Sequence, residues 1–149
     1  MKSITAIWFE VKARYEQTQE DGTQKKVIET FVVRANDFAE AYNKACEYAC
    51  NNLTSGEYDI LNEKIASYAE IFLSDSINDD KYYRVKVVLI TLNERTGKER
   101  KTPIMHLVQA SSVDKARKYT DEFYSQTMTD FTINEVVETK ITDVVHDVQ

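Results

Sequence analysis

The 149-residue chain is poor in residues that break secondary structure: it has three glycines and a single proline. So few breakers leave no room for a flexible linker or a low-complexity tract. The only cysteines, Cys46 and Cys50, form a poor disulfide framework, and free thiols are expected. No stretch approaches the roughly 18 apolar residues of a transmembrane helix, and Glu10 interrupts any N-terminal signal core. We therefore predict a cytoplasmic globular protein without membrane association.

Residues typical of catalytic and metal sites are also scarce. Only two histidines are present. His106 falls in a strand at the position that Phe31 occupies in an earlier, similar stretch, and it is expected to pack as an ordinary sheet residue. The two cysteines match no metal-site spacing, and the acidic segment "SDSINDDK", which includes Asp79, is expected to be a solvated linker. We predict a non-enzymatic protein that needs no metal and no cofactor.

One order of sequence features occurs twice in the chain. "WFEVK" at residues 8–12 matches "YYRVK" at residues 82–86, and each is followed by a polar turn centred on Gly22 or Gly97. Next, "FVVRANDFAEA" matches "HLVQASSVDKA", and "YDILNEKIASYAEIF" matches "FTINEVVETKITDVV". We interpret this order as an internal duplication, with a first repeat at residues 1–75 and a second at residues 80–149, together forming one compact pseudo-symmetric domain.

Each repeat has the pattern of a β-β-α-β unit. Phe9, Val11 and Ala13 alternate with polar residues, as in a half-buried strand, and the turn glycines suit the positive φ of hairpin loops. Asn36 or Asp37 in one repeat, and Ser111 or Ser112 in the other, can cap the helix that follows. The last segment also fits a helical period in the first repeat, but its β-branched partner predicts strands in both. The fold class is therefore α+β, with two helices and an antiparallel sheet or sheets of about six strands.

The stretches "WFEVKARYE", "GTQKKVIETFVV", "YAEIFLSD", "YYRVKVVLITLNERTGKERK" and "HLVQASSV" resemble an uncharacterised family, domain of unknown function 4494, found in Bacteroidales genomes and their phages. The resemblance extends from about Ile7 to about Val145. It implies a small bacterial or phage protein located in the cytoplasm. It implies no catalytic residues, so it supports the architecture and leaves the function open.

The polar faces of the two matched first strands suggest a nucleic-acid site. Single-stranded nucleic-acid binders place exposed aromatic rings beside basic side chains, so that bases stack on the rings, at roughly 1–3 kcal/mol each, while the basic groups follow the phosphates. The formal net charge of −6 argues against a basic surface overall but permits a local stripe. The residues predicted to form this site are Trp8, Lys12, Arg14, Tyr82, Arg84 and Lys86.

Three other interpretations remain open at this stage. Trp8 and Tyr82 could instead be buried between the halves. The protein could be an acidic protein-binding module, an adaptor or a phage-encoded inhibitor of a host protein, that docks through an exposed sheet edge. It could also bind a small ligand at the repeat interface. The sequence does not decide whether the chain forms a homo-oligomer.

Overall fold

The computed structural model describes residues 2–146 and has the predicted α+β class, with two sheets and two helices. Within this range the strands are β1 (Lys2–Ile4), β2 (Trp8–Thr18), β3 (Gln24–Arg34), β4 (Tyr58–Ala66), β5 (Glu70–Leu73), β6 (Lys81–Leu92), β7 (Glu99–Ala110), β8 (Asp130–Glu138) and β9 (Ile141–Val145). The helices are α1 (Phe38–Tyr48), which continues into a π-helical turn (Ala49–Leu53), and α2 (Val113–Ser125). Neither helix is long and apolar enough to cross a membrane.

The four-stranded unit comprises Ala6–Ser67 and residues 140–146. Its sheet has the order β4-β2-β3-β9, and its core lies between one sheet face and α1. Phe9 and Val11 of β2 are buried there against Ala41 and Ala45, whose small side chains let the helix approach the sheet. The helix begins after Asp37, whose carboxylate accepts a hydrogen bond from the Glu40 amide at 2.8 Å, as a cap should.

The five-stranded unit comprises Tyr68–Thr139 and residues 2–5, with the sheet order β1-β5-β7-β6-β8. Its core repeats the same pattern: Tyr83, Val85 and Val87 of β6 are buried together with Ala116 of α2. Ser112 caps α2 by accepting a hydrogen bond from the Lys115 amide at 3.2 Å. The predicted cap positions are therefore confirmed in both units.

The two sheets share one arrangement around their long hairpins. The hairpin β2–β3 lies between the antiparallel strand β4 and the parallel strand β9, and the hairpin β6–β7 lies between antiparallel β8 and parallel β5. Gly22 has φ +85° and Gly97 has φ +68°, which confirms the predicted role of both turn glycines. The pairing with the outer strand also shifts at matching points, after Lys12 in one unit and after Lys86 in the other.

The prediction of about six antiparallel strands is wrong. The described chain has nine strands in sheets of five and four, and two of the pairings are parallel. The prediction of a strand in the last segment of each repeat is confirmed, but each segment forms two strands because a short break follows Ala66 and Glu138. After the first break, the Ala69 amide donates to the Met105 carbonyl at 2.8 Å as the chain turns alongside β7.

The compact units do not coincide with residues 1–75 and 80–149. Strand β5 belongs to the first half of the sequence and completes the sheet built mainly from the second half. Strand β9 belongs to the second half and completes the sheet built mainly from the first. The first half of the sequence therefore contributes β1 and β5 to the sheet built mainly from the second half, and the second half contributes β9 to the other sheet.

Candidate functional site

The aromatic residues of the predicted nucleic-acid site are buried. Trp8 has an exposed fraction of 0% and Tyr82 of 5%, so the expectation that both rings are exposed for stacking is wrong. Part of the helix-free face of each sheet is buried, as shown by Val32 and Leu107, which are fully buried on those faces. A large apolar ring gains more from burial than from exposure, and Trp8 and Tyr82 belong to these buried layers.

The basic residues of the predicted site differ from the rings in exposure. Lys12, Arg14 and Arg84 are exposed, and Lys86 is half-buried. Arg14 donates a hydrogen bond to Asp59 at 3.0 Å, which pairs its charge.

A polar cleft of about 640 Å³ lies beside Arg14 in the four-stranded unit. Its charged lining residues include Arg14 and Lys26 together with Glu16, Glu57 and Asp59. Because the carboxylates outnumber the basic groups, the cleft has no preference for an anion such as a phosphate.

A different surface of the four-stranded unit combines exposed apolar side chains with an open sheet edge. This surface, the α1–β4 groove, is formed by Phe38, Tyr42 and Cys46 of α1 and by Glu63 and Ile65 of β4. Phe38 and Tyr42 each have an exposed fraction of 49%, and Ile65 of 58%. Strand β4 is at the edge of its sheet, so no described strand pairs with its outer side. An exposed apolar patch beside a free strand edge is typical of an interaction site.

Local periodicity places these side chains together. Phe38, Tyr42 and Cys46 are spaced four apart and share one face of α1. Glu63 pairs with Val11 and Ile65 with Phe9, and these β2 residues face α1, so Glu63 and Ile65 face α1 too.

Two features accompany the groove: a ring contact made by Phe38 and a bulge in β4. Phe38 packs edge-to-face on Phe9, with the ring centroids 5.0 Å apart, and this contact anchors one end of the groove. Leu61 is the extra residue where the pairing shifts, and bulges of this kind redirect side chains at sheet edges.

Glu63 is the unusual polar group of the groove. Its Oε1 atom is buried and has no hydrogen-bond partner among the described residues, and burial raises the pKa of its carboxyl. The nearest lysine in sequence, Lys64, points to the other face and pairs with Glu10 at 3.0 Å. Hydrogen bonding to Cys46 raises the pKa of the hydroxyls of Tyr42 and Tyr58. Glu63 and these hydroxyls are therefore polar groups beside an otherwise apolar groove.

The equivalent surface of the five-stranded unit has a different character. Helix register and strand pairing give these equivalences: Tyr42 with Arg117, Cys46 with Asp121, Leu61 with Asn134, Glu63 with Val136 and Ile65 with Glu138. Two of the three exposed apolar positions of the groove, Tyr42 and Ile65, thus become charged, whereas Phe38 becomes Val113, which is also exposed. The one acid becomes valine. The shared backbone therefore does not require apolar side chains at Tyr42 and Ile65.

Two polar clusters of the five-stranded unit are part of its structure. His106 is buried, as predicted for a sheet residue: its Nδ1 lies 3.3 Å from the Glu70 carbonyl, to which it can donate, and its Nε2 can accept from the Tyr124 hydroxyl at 2.5 Å. Burial lowers the pKa of His106. Asp79 is buried and accepts hydrogen bonds from Ser74 and, at 2.7 Å, from Tyr119. The expectation of a wholly solvated acidic linker is therefore wrong at Asp79.

The histidines, cysteines and carboxylates of the described chain are the remaining candidates for metal or thiol chemistry. Residues 2–146 contain no group of three or more His, Cys, Asp or Glu side chains able to hold a metal ion. Cys46 and Cys50 are free thiols. Sequence analysis did not identify the α1–β4 groove. The available signal was that Tyr42 and Ile65 are apolar, whereas the residues at the matching positions of the second half are charged.

Comparison with known proteins identifies a family without an assigned activity. No curated protein and no solved structure shows significant similarity to the chain. One family matches residues 7–147, which is nearly the whole chain. The chain belongs to the family described as Domain of unknown function (DUF4494).

Proposed function

We propose that this chain is a non-enzymatic protein-binding module whose α1–β4 groove receives an extended segment of another protein. The observation that carries the proposal is the row of exposed apolar side chains, Phe38, Tyr42 and Ile65, beside the open edge of β4. Their equivalents in the five-stranded unit include a charged residue at two of the three positions, so the fold alone does not account for them.

An extended segment fits the groove because both backbone hydrogen bonding and apolar side-chain contact are available along it. The free edge of β4 can form backbone hydrogen bonds with an added strand, and alternate side chains of that strand would face α1. The 11 residues of α1 span about 16 Å, which matches about five residues of extended chain. A bound segment of about five residues would therefore extend along the whole length of α1.

A separate partner is favoured over a second copy of this chain. In a symmetric antiparallel pairing of two copies centred on residue 63 of β4, the two Glu63 side chains would approach each other in a partly buried place. Like charges placed opposite each other in a strand pair are destabilising. The net charge of −6 adds repulsion between copies.

The test is selection of peptides from a displayed library of random eight-residue sequences. Wild type is compared with the double variant Tyr42→Arg, Ile65→Glu, which introduces residues that the five-stranded unit has at the same positions. Arg117→Ala with Glu138→Ala is the matched control on the other unit. We expect peptides that bind wild type and the control, with affinity at least ten-fold weaker for the groove variant, since two apolar contacts are lost.

Two results would overturn the proposal. One is a set of selected peptides that bind the groove variant as tightly as wild type. The other is binding that is undiminished by N-methylation of either alternating set of backbone N–H groups, because strand addition needs one of the two sets as donors. Sedimentation analysis covers the remaining case: a dimer of wild type that the groove variant abolishes would make a second copy the occupant.

The same proposal includes an evolutionary origin of the fold by internal duplication. The matching strand order, the matching shift in pairing at Lys12 and Lys86, and the matching turn glycines all support a duplicated β-β-α-β unit. The final strands then crossed to the opposite sheets. After duplication, the surface of one unit became apolar at the groove and that of the other became charged.

Nucleic-acid binding by Lys12, Arg14, Arg84 and Lys86 stays a prediction, now without exposed rings for base stacking. A small-ligand site at the repeat interface and a cytoplasmic location in a bacterial or phage setting also stay predictions. A labelled single-stranded oligonucleotide, titrated at two salt concentrations, tests the first of these. Tight, salt-dependent binding that Lys12→Glu and Arg84→Glu weaken would favour it over protein binding.

A further inference from the structure

We infer that Glu63 recognises a basic side chain, lysine or arginine, at one fixed position of the segment bound in the α1–β4 groove. This inference rests on the proposed function and specifies its partner. The geometry that supports it is a carboxylate on the groove wall, between Tyr42 of α1 and Ile65 of β4, with one oxygen buried and unpartnered. A buried carboxylate oxygen without a partner is unfavourable, and rotation of the Glu63 carboxylate toward a cation supplied by the ligand would relieve that cost.

Among the described residues, no basic group forms a hydrogen bond with Oε1 of Glu63. Lys64 pairs with Glu10 on the other face, Lys44 pairs with Glu40, and Arg14 pairs with Asp59. The equivalent residue of the five-stranded unit is Val136, which shows that the shared fold accepts an apolar side chain here. An acid at position 63 is therefore a feature of the groove rather than of the β-β-α-β framework.

The neighbouring residues predict a sequence pattern in the ligand. Side chains of an added strand face α1 at every second position. If one of them meets Glu63, the next one on the same face meets Ile65 and Phe38, which are apolar and exposed. The bound segment should therefore have a basic residue and a large apolar residue two positions apart. The Tyr42 ring, half-exposed beside Glu63, can also contact the cation through its π face.

The experiment is the displayed-peptide selection, repeated with wild type, Glu63→Gln and Glu63→Lys. Wild type should enrich lysine or arginine two positions from an apolar residue. Glu63→Gln should lose that enrichment, and Glu63→Lys should replace it with aspartate or glutamate. For one selected peptide, replacing the basic residue by norleucine should weaken binding to wild type about ten-fold, and to Glu63→Gln by much less.

The outcomes separate this inference from the function on which it rests. Peptides that bind wild type through the groove without any basic residue would overturn the role of Glu63 and leave the groove as a binding site. Enrichment of a basic residue that persists in Glu63→Gln would also overturn it. A selection that yields no peptide for any version would overturn both. Circular dichroism and urea unfolding of each variant establish that a lost preference is not a loss of fold.

Discussion

Replacing Glu63 by valine should make the protein more stable while removing its preference for a basic ligand. Glu63 is half-buried, and its Oε1 atom has no hydrogen-bond partner among the described residues. Valine stands at the equivalent position of the five-stranded unit, Val136, so its shape is compatible with this sheet and helix arrangement. Valine also has a higher strand propensity than glutamate.

The expected gain follows from the unpaired oxygen. A buried polar atom without a partner is unfavourable by about 1–3 kcal/mol, and the partial exposure of Glu63 selects the lower end, about 1 kcal/mol. For a chain of this size, that gain corresponds to a rise in Tm of about 2–4 °C. Urea unfolding followed by circular dichroism, with thermal unfolding beside it, measures both quantities.

The gain should also depend on pH in a defined direction. Burial raises the pKa of Glu63 above its ordinary value of 4.5, so the folded state holds this proton more tightly than the unfolded state does. The unfavourable contribution of the ionised carboxylate is therefore present above the raised folded pKa. It fades as the pH falls through the raised folded pKa toward 4.5. The stability difference between Glu63→Val and wild type should shrink over that range.

The reverse substitution in the other unit is the control. Val136→Glu places a carboxylate at the matching position, and its stability at pH 7 should fall by more than about 1 kcal/mol, because Val136 also packs against the core of its unit. A Glu63→Val protein less stable than wild type at pH 7 would refute the reasoning, because the carboxylate would then be making a stabilising contact. A gain that is the same at pH 7 and pH 4 would show that its source is packing rather than the charge.

Three further predictions concern buried groups outside the groove. Burial lowers the pKa of His106, so below about pH 6.5 the unfolded chain binds a proton more readily than the folded chain does, and stability should fall as the pH falls. His106→Phe, which introduces the residue found at the matching position 31, should flatten this pH dependence while leaving the Tyr124 hydroxyl without its partner. Asp79→Ala removes the acceptor of two buried hydroxyl bonds and should reduce the free energy of unfolding by about 1–3 kcal/mol at pH 7; an unchanged urea midpoint would contradict this. Trp8 is the only tryptophan and is buried, so its fluorescence should resist quenching by acrylamide and should not change when oligonucleotide is added to saturation. Strong quenching by the oligonucleotide would support the hypothesis that bases stack on Trp8.

Local signals made most of the fold predictable. Alternation in β2, positive φ at Gly22 and Gly97, and a capping side chain before each helix depend only on neighbouring residues, and the structure has all of them. Which sheet the last strand of each half, β5 or β9, would join was not predictable in this way. Whether β5 pairs with β7 or with a strand of its own half depends on contacts between residues far apart in sequence, and the alternation of β5 fits either pairing.

The predicted site failed for a related reason. Periodicity correctly placed Trp8, Lys12 and Arg14 on one face of β2, but it cannot tell whether that face is solvated. Trp8 is fully buried at one end of the strand, whereas Arg14, further along the same face, is exposed and paired with Asp59. Burial changes along a single strand face, and it is set by tertiary packing that a period-two pattern does not encode.

The two units provide a comparison in which the backbone arrangement is nearly constant and the surface is not. Requirements of the fold should appear in both units, and the buried alanines of the helices, the caps and the turn glycines do. Exposed apolar side chains oppose solubility, and a buried carboxylate oxygen without a partner opposes stability. At positions 42, 63 and 65 these features occur in one unit alone. Features that a fold does not need and that lower its stability are the ones expected at functional sites. Substitutions toward the other unit should therefore preserve or raise stability while they remove binding, and that combination separates a binding surface from a structural one.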